Sequence, residues 1–335
     1  MTSEVPLVSV IIPALDEVDD IGGCLEAVAA QGLQADALEV ILVDGCSSDA
    51  TVDAARCAAA TLGLALHVVE NPRRRTSISL NRGLESARGR FVVRLDARSR
   101  IQPGYVATTT GILDREGTIG VVGGSQVPVA RSARLIDRSI VRALSNRYTT
   151  GLSRYRRSSS SGPSDTVWMG VFRTEELRHL GGWDPDFGIN EDWDLNRRFR
   201  LHGLGVWFEA GLDSGYVPRA TLHKLARQYF GYGRAKGRWW VRGQRPALRQ
   251  LALFAVPPTF VFLLWRLSRR VGAAGWLLAP AGLLVADAVG AREPPIDAVE
   301  RTGSAAVIAT YSAAWWAGVL SGAIEELLDF RDRPA

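Results

Sequence analysis

The chain has 335 residues, 47% of them hydrophobic and 22% charged, which is enough to build a core and argues against global disorder. Its net charge of +5 would suit nucleic acid, anionic lipid or a phosphorylated substrate. The sequence carries no zinc-finger, helix-turn-helix or RNA-binding pattern, so we expect lipid and diphosphate partners and no nucleic acid.

The cysteines and the start of the chain favour a cytosolic domain. Cys24, Cys46 and Cys57 lack the spacing of metal ligands and are odd in number, so we expect reduced thiols. The first residues are few and polar, and a predicted strand follows them directly, which argues against a signal peptide.

Strands and helices alternate along the first third of the chain. Runs of apolar, β-branched residues predict buried strands at 8–12, 38–43, 64–69 and 91–95. Apolar residues at helical spacing predict helices between them, the first capped by Asp19 and Asp20, the second by residues 47–49, and the third covering 76–87. This alternation predicts an α/β fold with a mostly parallel, Rossmann-like sheet and helices on both faces.

Polar residues follow these strands, at the edge where parallel sheets bind ligands. Asp44 is placed to accept hydrogen bonds from ribose hydroxyls or a uracil-type N–H, although the same residue could simply cap the next helix. Asp96 is placed to hold a divalent ion that bridges a nucleotide diphosphate, because Mg²⁺ and Mn²⁺ prefer oxygen ligands. Three arginines at 73–75 suit either a phosphate or a solvated basic turn.

The middle of the chain supplies a loop and a second acidic pair. Residues 145–165 are polar, basic and interrupted by Gly and Pro, which indicates either a solvated linker or a mobile lid over an acceptor. A predicted strand and helix follow, at 166–172 and 174–180. A further helix opens on Glu191 and Asp192, whose charges either complement the helix dipole or provide a general base for an acceptor hydroxyl. We assign the base to Asp192.

The last third of the chain is increasingly apolar. Residues 222–242 mix basic side chains with large aromatic ones, which favours a helix lying in a membrane interface over an ordinary surface helix. Three apolar runs follow, at 251–265, 271–291 and 303–324. We expect the first to be re-entrant or interfacial, with both basic ends cytoplasmic, and the other two to span a membrane as a hairpin with its outer loop at 292–302. The alternative is a buried helical core.

In order and spacing, several motifs resemble those of the family 2 glycosyltransferases, which share the inverting GT-A fold. The matching stretches lie within about residues 5–240 and are VSVIIPALDE at 8–17, VDGCSSDAT at 43–51, NRG at 81–83, RLDAR at 94–98 and NEDWD at 190–194. The sequences at 94–98, 165–170 and 227–233 are most similar to those of the branch that elongates lipid-linked sugars for succinoglycan-type exopolysaccharide.

The resemblance implies a site, residue by residue. Asp192 matches the family's catalytic base, and Asp96 lies where its Asp-x-Asp motif begins and would hold the metal ion. The predicted donor-binding residues are Pro13, Ala14, Asp16, Glu17, Asp44, Arg75, Asp96 and Arg98. The predicted acceptor-binding residues are Trp168, Gly170, Glu191 and Gln228.

Two positions depart from the family pattern. Arg98 replaces the last Asp of the metal motif, so an Mg²⁺ or Mn²⁺ ion would depend on Asp96 alone or on further ligands, or Arg98 itself would neutralise the diphosphate. Gly231 and Tyr232 replace the Arg-Trp pair that processive members carry after the position of Gln228. We therefore expect the addition of one sugar rather than polymerisation.

Together these features predict an inverting glycosyltransferase that moves one sugar from a nucleotide diphosphate sugar, UDP-linked, to a polyprenyl-diphosphate-linked saccharide at the cytoplasmic face of the cell membrane. The predicted domains are a GT-A catalytic domain at 1–221, an amphipathic interfacial region at 222–249 and hydrophobic membrane-associated helices at 250–335. Two alternatives stay open. One is a polyprenyl-phosphate sugar synthase, and the other is a catalytically inactive membrane scaffold of the same fold, which Arg98 keeps open.

Overall fold

A computed structural model describes residues 6–146, 154–157, 159–187, 189–243 and 297–331, together with residues 262, 265, 266, 268–270, 284 and 287–290. The chain divides into two compact units. The first contains Met1–Val127 and Ser153–Val217, and the second contains Pro128–Leu152 and Pro218–Ala335. The second unit thus includes a segment from the middle of the chain. The predicted contiguous domains 1–221, 222–249 and 250–335 stay a prediction.

A nine-stranded mixed sheet forms the first unit. Its strands are β1 (Val8–Ala14), β2 (Leu38–Asp44), β3 (Ala65–Glu70), β4 (Phe91–Arg94), β5 (Ser99–Ile101), β6 (Ile119–Pro128), β7 (Gly162–Pro163), β8 (Trp168–Arg173) and β9 (Gly205–Tyr216). They lie in the order β3-β2-β1-β4-β8-β6-β9-β5, with β7 paired to β9. The first four strands are parallel, as predicted, whereas β8 runs antiparallel to β4 and β6. Periodicity did not indicate this reversal because it reports the type of an element and not its direction.

Helices cover both faces of this sheet, which confirms the predicted α/β architecture. In chain order the helices are α1 (Val18–Ala29), α2 (Thr51–Leu62), α3 (Thr76–Ser86), α4 (Tyr105–Arg115), α5 (Leu135–Ser145), α6 (Arg154–Arg157), α7 (Thr174–His179), α8 (Glu191–Leu201), α9 (Leu222–Val241) and α10 (Ala298–Arg331). Buried residues of α1, α2 and α4 pack on one face of the sheet, and those of α3, α7 and α8 pack on the other.

The alternation of side chains along β4 decides which residue reaches which face. Phe91 and Val93 belong to one core cluster, and Val92 belongs to the other. Successive side chains of a strand point to opposite faces, so Arg94 points the same way as Val92, toward the face that α8 covers. Each fully buried apolar side chain contributes about 1.5–3 kcal/mol to stability, which fixes the strand and with it the direction of Arg94.

The start of α1 differs from the predicted cap. The helix begins at Val18, directly after Glu17, so Asp19 and Asp20 lie inside its first turn. The predicted cap is therefore wrong, because the N-cap residue is Glu17. Carboxylates in a first turn still complement the positive end of the helix dipole, which is why acidic residues there resemble a cap in the sequence.

The three cysteines are free, as predicted. Cys24 is fully buried, and its thiol lies 3.6 Å from the carbonyl oxygen of Asp96. Burial raises the pKa of Cys24 to about 12, so this thiol stays protonated and packs the core.

In the second unit, α9 and α10 approach each other through glycine. Gly233 and Gly237 of α9, and Gly318 and Gly322 of α10, each face backbone atoms of the opposite helix. A side chain at Gly318 would overlap the carbonyl oxygen of Phe230. Small residues four apart let two helix backbones pack closely, an arrangement that is common between helices in membranes.

A buried ion pair joins α5 to the apolar part of the second unit. Asp287, the single charge of the second predicted apolar run, is fully buried. It accepts hydrogen bonds from Arg142 of α5 at 2.8 Å and from the hydroxyl of Ser304 in α10 at 2.6 Å. An unpaired carboxylate in such surroundings would be strongly destabilising, so these partners explain how the charge is tolerated.

Within the described part of the chain, one helix is long and apolar enough to cross a membrane by length and composition, at Ala298–Asp329. It contains the third predicted apolar run, 303–324. The predicted outer loop at 292–302 is wrong for residues 298–302, which are helical and contain no Gly or Pro to end a helix. The first and second apolar runs, and the predicted hairpin, lie largely outside the described residues.

The glycine contact makes a prediction about stability. Gly318→Ala places a methyl group against the carbonyl oxygen of Phe230, so α9 and α10 must separate, and overpacking of this kind costs about 1–3 kcal/mol. We expect a lower unfolding temperature in detergent, followed by circular dichroism. Gly22→Ala in α1 is the matched control, because its added methyl group meets open space and alanine favours helix by about 1 kcal/mol. If Gly318→Ala unfolds no earlier than the wild type, the close contact is contradicted.

Candidate active site

Arg94, the last residue of β4, lies at the centre of three carboxylates. Its guanidinium pairs with Glu191 at 2.8 Å, with Asp96 at 3.3 Å, and with Asp192 in closer contact. Asp96 follows the same strand, whereas Glu191 and Asp192 open α8. Only 4% of Arg94 is exposed. One buried cation therefore joins the end of a central strand to the start of a helix on one face of the sheet.

These surroundings change the proton affinity of Asp192. Burial raises the pKa of the Asp192 carboxyl to about 7, Arg94 opposes this shift, and the charges of Glu191 and Asp96 add to it. Burial lowers the pKa of Arg94, but the three carboxylates outweigh burial and raise that pKa above its ordinary value. A carboxyl that titrates near neutral pH, beside a permanent cation, suits proton transfer to and from a bound molecule.

The apolar side of α8 fixes the acidic start of the helix under the sheet. Phe199 stacks on Phe172 of β8 with ring centroids 5.6 Å apart, and Leu195 is fully buried beside them. Residues four apart lie on the same face of a helix, so Glu191 and Leu195 share a face, and burying Leu195 directs Glu191 toward β4. Leu195 and Phe199 thus form the buried face of this helix.

The turn after β4 is held by β8 and α4. The N–H of Asp96 lies 3.4 Å from the sulfur of Met169. The hydroxyl of Tyr105 donates to the carbonyl of Met169 at 2.9 Å and accepts the N–H of Gly124 at 3.0 Å. Met169 has a left-handed φ of 51°, a strained conformation for a side chain of its kind, and the buried hydroxyl helps to hold it.

The register of the parallel strands brings predicted donor-site residues to one edge of the sheet. Pro13 lies beside Val43, Ala14 lies beside Asp44, and Asp44 lies beside Glu70. All five residues are at the carboxyl ends of their strands, where an α/β sheet of this topology binds ligands.

The loops after β1 and β2 order each other. Asp16 accepts the N–H of Ser48 at 2.7 Å, and its own N–H donates to the hydroxyl of Ser47 at 3.0 Å. The N–H of Ser47 donates to Asp44 at 3.0 Å. Asp44 thus orders its own turn, but it does not cap α2, whose N-cap residue is Ala50. An ionised carboxylate has lone pairs for further donors. Nucleotide contacts of Asp16 and Asp44 stay a prediction.

Arg98 is paired with acidic residues at the start of α1. Its Nε lies 2.7 Å from Glu17, and its Nη1 lies 3.9 Å from Asp20. Only 15% of the Arg98 side chain is exposed. The arginine that replaces a family metal ligand therefore has carboxylate partners of its own. The donor-binding roles of Glu17 and Arg98 stay predictions.

The basic turn after β3 connects two neighbouring segments. Arg74 donates to the carbonyl of Cys46 at 3.0 Å, in the loop after β2. Arg75 donates to the carbonyl of Pro185 at 3.3 Å, in the segment before α8. The donor-binding role of Arg75 stays a prediction.

The predicted acceptor residues of β8 differ in their surroundings. Trp168 contacts the rings of Tyr155 and Tyr216, with centroids 6.5 Å and 6.0 Å away. Gly170 lies in the core, where a side chain would crowd Phe172. Trp168 is half-buried, whereas Gly170 is buried, and the acceptor roles of both residues stay predictions.

Gln228 belongs to the second unit. Its amide donates to the hydroxyl of Tyr232 in the next turn of α9, at 2.9 Å. Its acceptor role stays a prediction. Residues 147–153 and 158 of the predicted loop at 145–165 lie outside the described residues.

Asp96 is the predicted metal ligand. Among the residues that the structure describes, no three or more His, Cys, Asp or Glu side chains converge on a common point for a metal. Asp96 keeps 28% of its side chain exposed, and both of its contacts with Arg94 use Oδ1. Mg²⁺ is often held by one or two carboxylates together with substrate phosphates. Asp96 therefore fits a metal site that a ligand's diphosphate completes, not a closed protein site.

Strained backbone marks the same edge of the sheet. In the described part of the chain, the non-glycine residues with left-handed φ are Asp16, Cys46, Arg74, Met169 and Asn190. The first three follow β1, β2 and β3, the fourth contacts Asp96, and the fifth directly precedes α8. These conformations are strained and persist only where the surrounding contacts hold them in place. They cluster at functional sites. Their distribution supports this edge as the site.

Arg94 carries no predicted role in the sequence, although a signal was available. A charged residue inside a short apolar strand must find partners when the strand is buried. The carboxylates that follow the strand and open the distant helix were the available partners. The pairing of Arg98 with Glu17 had no comparable signal, because both residues lie in exposed-looking polar turns.

Comparisons with known proteins agree with this geometry. Residues 9–176 match the family described as glycosyl transferase family 2. The succinoglycan biosynthesis protein ExoA of Rhizobium meliloti (strain 1021) is 30% identical over 97% of this chain and 96% of that protein. A dolichyl N-acetyl-alpha-D-glucosaminyl phosphate 3-beta-D-2,3-diacetamido-2,3-dideoxy-beta-D-glucuronosyltransferase of Methanococcus voltae is 23% identical over 69% of this chain and 73% of that protein.

A solved structure shares the fold. The mannosyltransferase PcManGT from Pyrobaculum calidifontis, in complex with GDP-Man and Mn²⁺, superposes with a TM-score of 0.63 at 22% identity, over 97% of this chain and 88% of that chain. At this identity the likeness supports the fold alone. The predicted family resemblance and the predicted fold class are confirmed.

Proposed function

The chain belongs to glycosyl transferase family 2, and from this premise we propose that it moves one sugar, with inversion, from a nucleotide diphosphate sugar to a lipid-linked saccharide. One observation carries the proposal. The half-buried carboxyl of Asp192 is joined through Arg94 to Asp96 at the end of β4. This arrangement brings a base with a pKa near neutrality next to a carboxylate suited to a metal-bound diphosphate.

Asp192 is the general base in this proposal. Its carboxylate takes the proton of an acceptor hydroxyl, and the acceptor oxygen attacks the anomeric carbon from the face opposite the diphosphate. The bond between that carbon and the diphosphate oxygen breaks in the same displacement, and its electron pair leaves with the nucleoside diphosphate. The products are a glycoside of inverted configuration, a nucleoside diphosphate and a proton on Asp192. Stabilising the departing diphosphate is the main electrostatic task.

The donor would lie over the carboxyl ends of β1, β2 and β4. Asp16 and Asp44 would bind the base and ribose, and we favour a UDP-linked donor. A divalent ion at Asp96, Mg²⁺ or Mn²⁺, would supply positive charge to the diphosphate. The charge of Arg98 is already compensated in part by Glu17, so we favour the ion at Asp96 over Arg98 as the counter-charge. PcManGT, which shares the fold, was solved with GDP-Man and Mn²⁺.

The acceptor in this proposal is a saccharide on a polyprenyl diphosphate. The relative from M. voltae is named for transfer to a dolichyl-linked sugar phosphate, and the relative from R. meliloti for succinoglycan biosynthesis. The apolar length of α10 and the mixed basic and aromatic side chains of α9 suit attachment to a membrane that carries such a lipid. We place the catalytic unit on the cytoplasmic side.

Removing the base tests its role. Asp192→Asn keeps the size of the side chain but cannot accept the proton, so we expect sugar transfer to fall by at least about 100-fold with folding intact. The measurement is radiolabelled transfer to a lipid-linked saccharide. Asp114→Asn, on the surface beside Arg90, is the matched control and should transfer normally. Wild-type turnover in Asp192→Asn would instead favour a polyprenyl-phosphate sugar synthase, because a lipid phosphate is already ionised and needs little base.

The pH dependence of transfer follows from the pKa of Asp192. The base must be deprotonated to work, and its folded-state pKa of about 7 lies above the ordinary value. We therefore expect kcat/KM to be level above neutral pH and to fall about tenfold per pH unit below it. Initial rates from pH 5 to 9 at fixed metal concentration, with activity checked after return to pH 8, measure this. A flat profile down to about pH 5 would contradict a neutral-range base.

A further inference from the structure

We propose that Arg94 is a positioning residue that aims the base Asp192 relative to the donor-side carboxylate Asp96. The inference rests on the proposed function, because it assigns Arg94 a role in the same transfer. No predicted site includes Arg94. Its contacts single it out, since one guanidinium meets one carboxylate beside β4 and two at the start of α8.

The exposed fractions of the side chains distinguish this positioning role from that of a cation that only neutralises charge in the core. The side chain of Arg94 is 5% exposed, whereas those of Asp96 and Asp192 are 28% and 22% exposed. The two carboxylates are thus more accessible to a substrate than the guanidinium that they contact. A group in this place holds the working side chains from behind and does not itself need to touch the substrate.

The geometry of the guanidinium explains why it can serve several partners. Nη1 meets Asp192, Nη2 meets Glu191, and Nε and Nη2 both reach Asp96. A planar fork fixes the directions of its N–H groups, so carboxylates bound to it are fixed relative to one another. A lysine ammonium in the same place would keep the charge but not the fixed directions.

The contact between Arg94 and Asp192 joins two segments that are far apart in the chain. Arg94 and Asp192 are separated by 98 positions, and Asp192 sits in the first turn of a helix that follows a left-handed residue, Asn190. Side chains of a helix lean toward the preceding turn, and a first turn has no preceding turn to pack on, so a partner outside the helix fixes its side chains. Arg94 supplies that partner, and the distance between base and donor carboxylate is then set by one side chain.

The test uses Arg94→Lys and Arg94→Ala in the full-length protein. Misplacing a catalytic group by about 1 Å costs about 100-fold, so we expect kcat of Arg94→Lys to fall by about 100-fold while the KM for the donor changes less than about threefold. Arg94→Ala should regain part of its kcat when tens of millimolar guanidinium chloride is added, but not with sodium chloride of equal ionic strength. Arg90→Lys is the matched control, because Arg90 directly precedes β4 and its side chain is exposed. This variant should behave as the wild type.

Several results would overturn the proposal. These are a wild-type kcat in Arg94→Lys, a loss of donor affinity as large as the loss of kcat, the absence of rescue by guanidinium, or an Arg94→Lys protein that does not fold. The last result would assign Arg94 to the fold alone.

Hydrogen exchange separates this proposal from the proposed function. In Arg94→Lys, the backbone N–H groups of residues 190–195, at the start of α8, should exchange faster than in the wild type, because the guanidinium that holds this segment is gone. The exchange of α1 and α4 should be unchanged. If the wild type transfers no sugar but this segment loosens, the proposed function fails and the positioning contact stands. If the wild type transfers sugar and the segment does not change, the positioning role of Arg94 is overturned.

Discussion

A buried guanidinium surrounded by carboxylates is the constraint on which the site depends. Arg94 is nearly inaccessible, so its charge must be matched inside the protein, and the partners are the residues expected to do the chemistry. Burial raises the pKa of Asp192 to about 7, the charges of Glu191 and Asp96 add to this shift, and Arg94 opposes it. The contacts that compensate the buried charge of Arg94 are therefore the same contacts that hold the groups proposed for catalysis.

The two halves of the sheet supply different parts of this arrangement. The parallel half places the ends of β1, β2 and β4 at one edge, where Asp44 ends β2 and where Asp16 and Asp96 follow β1 and β4. The antiparallel half brings β8 beside β4, and with it Phe172, on which α8 packs through Phe199. Without β8 in that place, the acidic start of α8 would have no fixed position relative to Arg94.

Much of the fold was predictable because it depends on local patterns. The β-branched runs of β1, β2, β3 and β4 identified all four parallel strands, and the acidic opening of α8 identified Asp192 as the candidate base. What the sequence did not reveal depends on contacts between distant residues. The reversal at β8, the pairing of Arg98 with Glu17 and the convergence on Arg94 all join segments that are far apart in the chain. The glycine contact of α9 and α10 was also hidden, because a glycine in a helix marks a close approach only when its partner helix is known.

The most direct test of this account is nucleotide binding, measured by calorimetry on detergent-solubilised protein. UDP, GDP and dTDP are compared with Mn²⁺ and with EDTA, in the wild type and in Asp96→Asn. The account predicts that UDP binds tightly with Mn²⁺, that EDTA weakens this binding by about tenfold or more, and that Asp96→Asn removes the effect of the metal. Equal affinity with and without metal, or no binding of any nucleotide, would contradict a donor site built around Asp96.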